Sequence, residues 1–277
     1  MPRSMTAQEK VDYKRLFPGL DVNAAQVSGE ATEIYNCIAW TVGITDRWIW
    51  PGNSIATFDT FYRQFGYSRS SNGPIAAWGA STTQMTHGCV TGSGHGPRWE
   101  SKCGRGLRIQ HGLTELEGSS YGRVLAFYAI STADAPFSKA LSAAKKTRSR
   151  GSMELSKSEK AMLATAVALV PQGLRKSFKS AFEAWKKTWF EGRLAIISDP
   201  YARAAGQEFE ALIALGPNAL PLVVDEMVQT DSFIAVVLYD FMQSDARLVV
   251  QFEPDDPRVL LGEQARAVAA ARAWLAR

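Results

Sequence analysis

The sequence predicts an α+β protein of two domains, because helix-compatible and strand-compatible segments occupy different parts of the chain. In the first half, two amphipathic segments are followed by brief apolar runs that glycine and proline interrupt. Such runs are typical of an antiparallel sheet with close turns. Beyond residue 153, apolar residues recur at intervals of three and four, which indicates helices. We therefore expect a helix-and-sheet domain followed by an all-helical domain.

The length and composition of the chain are consistent with two domains, and its charge limits the kinds of partner that are expected. A chain of 277 residues with 46% hydrophobic content can form two cores. The net charge of +4 arises mainly in residues 144–152, which hold four basic and no acidic side chains. We interpret this stretch as a basic linker between domains at 1–143 and 153–277. Because the excess of positive charge is confined to this short stretch, it does not predict a nucleic-acid partner.

Cysteine usage indicates free thiols and no metal. The three cysteines, Cys37, Cys89 and Cys103, are an odd number, so a framework of disulfides is not expected. Neither a CxxC nor an HExxH pattern occurs in the sequence. We therefore predict no metal and no other cofactor.

The distribution of apolar residues gives an expectation for localisation. The first 14 residues are charged and lack an apolar signal core, and no run of about 18 apolar residues occurs. We expect a soluble protein without a membrane partner, either cytoplasmic or exported without a cleaved signal peptide.

The segment around Cys37 is the first candidate for chemistry. A helix is predicted over 30–45, with Asn36 directly before the thiol. Near the start of a helix, the dipole and unpaired N–H groups lower the pKa of a thiol. The same N–H groups, with the Asn36 side chain, are candidate donors to an oxyanion, and Trp40 and Trp48 are candidate substrate contacts. The alternatives are that Cys37 is a buried apolar residue and that Trp48 only covers its helix.

A second helix and five strands complete the predicted first domain. Residues 54–66 carry aromatic side chains at helical spacing, with Ser54 as a plausible N-cap and a stripe that we assign to the core. The strands are predicted at 75–79, 86–91, 98–103, 107–110 and 121–130, forming an antiparallel meander or a small barrel.

The order of a cysteine helix, a strand and then His87 resembles the papain-like cysteine hydrolases of the NlpC/P60 and CHAP kind. The resemblance covers roughly residues 30–130 and is carried by Asn36-Cys37-Ile38-Ala39-Trp40, Ile75–Gly79 and His87-Gly88-Cys89-Val90. Further runs, at 99–102, 121–124, 208–216 and 238–240, look like an uncharacterised bacterial and fungal domain family.

The papain-like resemblance implies a thiol nucleophile and an imidazole base. His87 would take the proton of Cys37, and a third polar group would accept the other N–H of the ring. In these hydrolases that group comes from the strand after the histidine, here Trp99–Lys102. Strand alternation puts Ser101 and Glu100 on opposite faces, and either is a candidate, as is His111 on the next strand. The alternative is that His87 is a structural residue whose ring is held by hydrogen bonds.

The second domain is predicted to be a stack of helices that binds a partner. Ser156 to Glu159 has the pattern of a capping box, and later helices are separated by a Gly-Pro turn at 216–217. Paired helices with such turns are typical of α-solenoids, so a HEAT-like shape is expected, although no sequence period supports a repeat.

Two functions follow from these observations. The first is a cysteine hydrolase that cleaves or deamidates an amide bond of a peptide or amide substrate, with a role as a bacterial effector as an additional hypothesis. The alternative is a non-enzymatic adaptor or immunity-like module that binds a protein through the helical domain.

Overall fold

The protein has an α+β fold, with an antiparallel sheet in its N-terminal half and helices in its C-terminal half. The structure is a computed structural model that describes residues 1–92, 98–131 and 154–277. These residues form two compact units. The first contains the described residues before 132 together with Ala195–Asp199, and the second contains 154–194 and 200–277. The predicted linker at 144–152 lies outside the described residues.

Eight strands of the first unit form one antiparallel sheet in the order β1-β2-β7-β6-β5-β4-β8-β3. The strands are β1 Arg3–Ser4, β2 Gln26–Gly29, β3 Tyr67–Ser70, β4 Ile75–Ser81, β5 Gln84–Thr91, β6 Trp99–Lys102, β7 Arg108–His111 and β8 Arg123–Ile130. The predicted meander is present as β4 to β7. The predicted barrel is not, since β1 and β3 are the edges of the described sheet. Strand β3 was not predicted from the sequence, because its mostly polar residues do not alternate with apolar ones.

Among its described residues, the first unit has the helices α1 Ala7–Leu16, α2 Cys37–Thr41 and α3 Ile55–Arg63. In α3 the predicted Ser54 cap is confirmed, since its side chain accepts a hydrogen bond from Thr57 N. The helix predicted over 30–45 is wrong in length. It starts only at Cys37 because the Asn36 side chain caps it there, and it ends before Gly43, whose φ of 74° suits glycine.

The described part of the second unit is helical. Its helices are α4 Lys157–Ala168, α5 Gln172–Thr188, α6 Gln207–Ile213, α7 Leu220–Met227, α8 Ala235–Met242 and α9 Gly262–Leu275. The predicted capping box is confirmed, because Ser156 and Glu159 bond each other's backbone N–H. Aromatic residues of α5 and α6 form a cluster in which Trp185 meets Trp189 and Phe209.

Five residues depart from the predicted division of the chain. Ala195–Asp199, which the sequence places in the helical domain, belong to the first unit, although residues 194 and 200 on either side belong to the second. We call these five residues the inserted segment. They contact the residues around Cys37, as described below.

Candidate active site around Cys37

Cys37 is the first residue of α2 and is held there by its neighbour. The Asn36 Oδ1 accepts hydrogen bonds from the backbone N–H of Ala39 and of Ile49, both at 3.2 Å. Its Nδ2 donates to the carbonyl oxygen of Ile49 at 2.7 Å. Asn36 therefore fixes both the start of the helix and the loop that follows. Its amide donor, a candidate for an oxyanion site, is bonded to Ile49 in this structure.

Glycine at position 88 allows α2 to pack closely on β5. A Cβ atom at Gly88 would lie 2.9 Å from Tyr62 Oη and 3.1 Å from Ile38 Cδ1, which is closer than ordinary contact. The backbone of Gly88 and of Ile38 also lies close enough to the Cys37 thiol to favour its charged form and so to oppose the rise of its pKa. The nucleophile candidate is therefore placed beside the backbone of the strand that carries His87.

His87 ends a chain of hydrogen bonds that crosses three strands. Its Nε2 lies 2.8 Å from Ser101 Oγ, which lies 2.8 Å from His111 Nε2, and His111 Nδ1 lies 2.7 Å from the carbonyl oxygen of Gly112. Ser101 is thus the candidate that contacts the imidazole, with His111 behind it. Glu100 faces elsewhere, bonding Gln110 and pairing with Arg108 at 3.0 Å.

The direction of this chain fixes the tautomers of both imidazoles. Because a carbonyl oxygen can only accept, Nδ1 of a neutral His111 carries the proton and its Nε2 is an acceptor. Ser101 therefore donates to His111 and accepts from the Nε2–H of His87. This leaves a bare lone pair on His87 Nδ1, which has no hydrogen-bond partner among the described residues.

Burial keeps both histidines neutral. The pKa of His87 lies well below 6.5, because the ring is desolvated and, secondly, because His111 is near. The pKa of His111 is lowered to about 4, again mainly by burial. The ring of His87 stacks on Tyr121, with 3.9 Å between centroids and 6° between planes, and the edge of Trp78 approaches it. These contacts hold the imidazole in one orientation.

The expected low pKa of Cys37 is not found. Burial raises it to about 11, and this exceeds the opposing effect of hydrogen bonds from Ser198, Gly88 and Ile38. The thiol is fully buried and lies 3.1 Å from Ser198 Oγ. No hydrogen bond joins it to His87 within the described residues. The helix start supplies the N–H groups that sequence analysis expected, but desolvation of the thiolate outweighs them.

The two tryptophans that were candidate substrate contacts have different positions. Trp48 is fully buried, and its Nε1 donates to the carbonyl oxygen of Ser198 at 2.8 Å. Trp40 instead packs under the guanidinium of Arg108, 4.0 Å from the ring centroid. Only Trp48 therefore contacts the residue beside the thiol. Neither Ser198 nor Tyr121 was predicted from the sequence as a residue of the site, because no local pattern marks either one as such.

The described residues contain no group of three or more His, Cys, Asp or Glu side chains arranged to hold a metal ion. In the same part of the chain, no helix is long and apolar enough to cross a membrane. The free thiols of Cys37, Cys89 and Cys103 are all buried.

Comparison with known proteins gives a family match for part of the chain. Residues 26–129 match the model of a family described as a domain of unknown function, DUF7689. This range runs from β2 to the end of β8 and contains Cys37, Ser101 and His87, but not the inserted segment. No curated protein and no solved structure matches the chain.

The neutral histidines predict acid sensitivity of the first unit. Between pH 6.5 and 4 the unfolded chain binds protons that buried His111 excludes, so the free energy of unfolding falls as the pH is lowered. For His111 alone the loss is about 2 kcal/mol at pH 5 relative to pH 7.5. Urea unfolding at both pH values measures it. A His111→Gln variant should lose this part of the pH dependence, and an unchanged dependence would contradict the assignment.

Proposed function

We propose that the first unit is a papain-like cysteine hydrolase that cleaves or deamidates an amide bond. The single observation that carries the proposal is the hydrogen-bond chain through Ser101. It leaves His87 with Nε2–H bonded and Nδ1 unprotonated, which is the state that a general base requires. The thiol that this base would serve lies at the start of α2, beside the backbone of Gly88.

In the proposed reaction, His87 Nδ1 takes the proton of Cys37 as the sulfur attacks the carbonyl carbon. The imidazolium then gives that proton to the nitrogen of the substrate, and the C–N bond breaks to release an amine, or ammonia in a deamidation. Water hydrolyses the remaining thioester and returns the thiol. Ser101 acts as a positioning residue, because it holds the ring by Nε2. The backbone N–H groups of Ile38 and Gly88 are the candidate donors to the developing oxyanion.

Selective alkylation tests this proposal without a known substrate. In an Ile196→Asp variant, designed to displace the inserted segment that helps to bury Cys37, we expect iodoacetamide at pH 6 to label Cys37 about tenfold faster than Cys89 and Cys103, because only Cys37 would have the proposed base beside it. Peptide mapping by mass spectrometry gives the rate at each thiol. His87→Gln should abolish the preference, and Ser101→Ala should reduce it. Equal and slow labelling of the three thiols would count against a hydrolase.

A second candidate function is a non-enzymatic binding module, as the sequence also allowed. The second unit has an open groove of about 690 Å³, whose lining includes Ala166, Leu169, Val170, Pro221, Leu248 and Trp274. Leu169 is 81% exposed there. A groove that combines these apolar residues with polar ones such as Gln243, Asp245 and Arg277 favours a protein or peptide partner. The HEAT-like repeat and the effector role remain predictions.

The dye ANS, which binds exposed apolar surface, tests this groove. Leu169→Asp should lower ANS fluorescence at least about twofold, because it puts a charge into the groove. Met162→Asp is the matched control, since Met162 is 52% exposed on α4, the helix that ends directly before Leu169, but does not line the groove. An equal loss in both variants would show that the groove is not the site of binding.

A further inference from the structure

The inserted segment, Ala195–Asp199, is bound by the first unit through its backbone. The carbonyl oxygen of Ala195 accepts from the N–H of Arg105 at 2.8 Å, and that of Ile196 accepts from Tyr121 Oη at 2.9 Å. The carbonyl oxygen of Ser198 accepts from Trp48 Nε1. At least three of its carbonyl groups are therefore held by donors that belong to the first unit. Recognition of a peptide through its main chain is also a recurring way in which proteins hold peptide ligands.

The side chains of the segment are also enclosed. Ile196, Ile197 and Ser198 are 2%, 6% and 0% exposed. Gly104 makes room for the segment, because a Cβ atom there would lie 2.5 Å from the carbonyl carbon of Ile196 and the residue has a φ of +50°. Asn53 Nδ2 bonds Asp199 Oδ2 at the far end. The first unit thus provides a cleft shaped for this peptide.

The position of the thiol within this cleft connects it with the proposed chemistry. Cys37 Sγ lies against the hydroxyl of Ser198, while the carbonyl oxygen of Ser198 is bonded to Trp48. The sulfur therefore faces a hydroxyl group, which offers no carbonyl carbon for it to attack. A peptide held in this way blocks the thiol as an inhibitor does and is not a substrate in this pose.

We propose that the inserted segment is an internal peptide ligand that fills the substrate cleft and closes it over Cys37. The inference rests on the proposed hydrolase function and extends it in two ways. The substrate class is a peptide with a small residue beside the thiol and branched apolar residues before it, as in Ile196-Ile197-Ser198. The cleft is open to such a peptide only when the segment has left.

Releasing the segment by mutation tests the proposal. Ile196→Asp places a charge in an apolar site, which should expel the segment and raise the rate of Cys37 alkylation by iodoacetamide at least about tenfold at pH 7.5. Cys89 and Cys103 are internal references, because both are fully buried in the first unit. Ile213→Asp, the same change in α6 of the second unit, is the matched control and should label like the unmodified protein.

A synthetic peptide with the sequence of residues 192–202 tests whether the cleft accepts a ligand. It should slow the labelling of Cys37 in the Ile196→Asp variant, whereas a scrambled peptide should not. Unchanged labelling of Cys37 in a folded Ile196→Asp variant would overturn the proposal, as would equal effects of the two peptides.

If Cys37, Cys89 and Cys103 label equally fast in the Ile196→Asp variant, that variant has unfolded. A Ser198→Cys variant then tests the position of the segment. Oxidation with diamide should then join the introduced thiol to Cys37, since the two positions are in contact, and should block alkylation until reductant is added. Absence of this link would overturn the proposal.

The proposal that the segment closes the cleft and the proposal that the unit is a hydrolase can be refuted separately. If Ile196→Asp exposes Cys37 but adding His87→Gln leaves its labelling at pH 6 unchanged, the segment closes the cleft and the thiol has no catalytic base. If labelling depends on His87 but not on Ile196, the base is present and the segment does not close the site.

Discussion

Replacing Lys102 by methionine is expected to destabilise the first unit by about 3–5 kcal/mol. The side chain is fully buried, and its Nζ donates to three carbonyl oxygens, those of Thr32 at 2.9 Å, Gly104 at 2.5 Å and Gly106 at 2.8 Å. Methionine has a similar volume but no donor, so the three oxygens would lose their common partner. Two of them belong to the turn between β6 and β7.

The charge state of Lys102 reflects two opposing effects. Burial lowers its pKa to about 7, while three carbonyl acceptors favour the ammonium form, which alone offers three N–H donors. Loss of the donors, and not only of the charge, is therefore the main cause of the expected destabilisation.

Urea unfolding followed by far-UV circular dichroism measures the effect of Lys102→Met. Lys14→Met is the matched control, because Lys14 is exposed and donates to a single carbonyl oxygen, that of Leu20. Its cost should stay below about 1 kcal/mol. Equal effects of the two substitutions would show that the three-carbonyl site contributes little.

A second large loss of stability is expected when Asp240, in the second unit, is replaced. Its Oδ2 accepts from Arg266 Nη1 at 2.8 Å and from Tyr201 Oη at 2.6 Å, and Arg266 also pairs with Glu263 at 2.8 Å. Asp240 and Arg266 are each 6% exposed in their side chains. Removing one partner of a buried pair leaves the other charge without full compensation, so Asp240→Ala should cost about 3–5 kcal/mol.

Two further variants separate the charge from the hydrogen bonds. Asp240→Asn keeps an acceptor for Tyr201 but not the negative charge beside Arg266, and should cost about half as much. Asp231→Ala is the control, since Asp231 is 56% exposed and its pair with Lys186 lies at the surface. If Asp231→Ala is as destabilising as Asp240→Ala, burial of the pair is not what makes it important.

The sequence by itself determined those features that depend on residues a few positions apart. Ser54 caps its helix, and Ser156 with Glu159 forms a capping box, because each cap bonds within the first turn. Strand alternation separated Ser101 from Glu100, since neighbouring side chains of a strand point to opposite faces. Helical spacing likewise identified the helices of the second unit.

Only the tertiary structure decided the environment of the candidate site. Ser198 lies beside Cys37 although 161 positions separate them, and no local pattern brings the two together. The raised pKa of the thiol follows from its desolvation, which depends on every element packed around it and not on the helix that carries it. The tautomers of His87 and His111 follow from bonds between three strands. Local patterns therefore set the positions of these side chains along the chain, whereas long-range packing set their protonation and access.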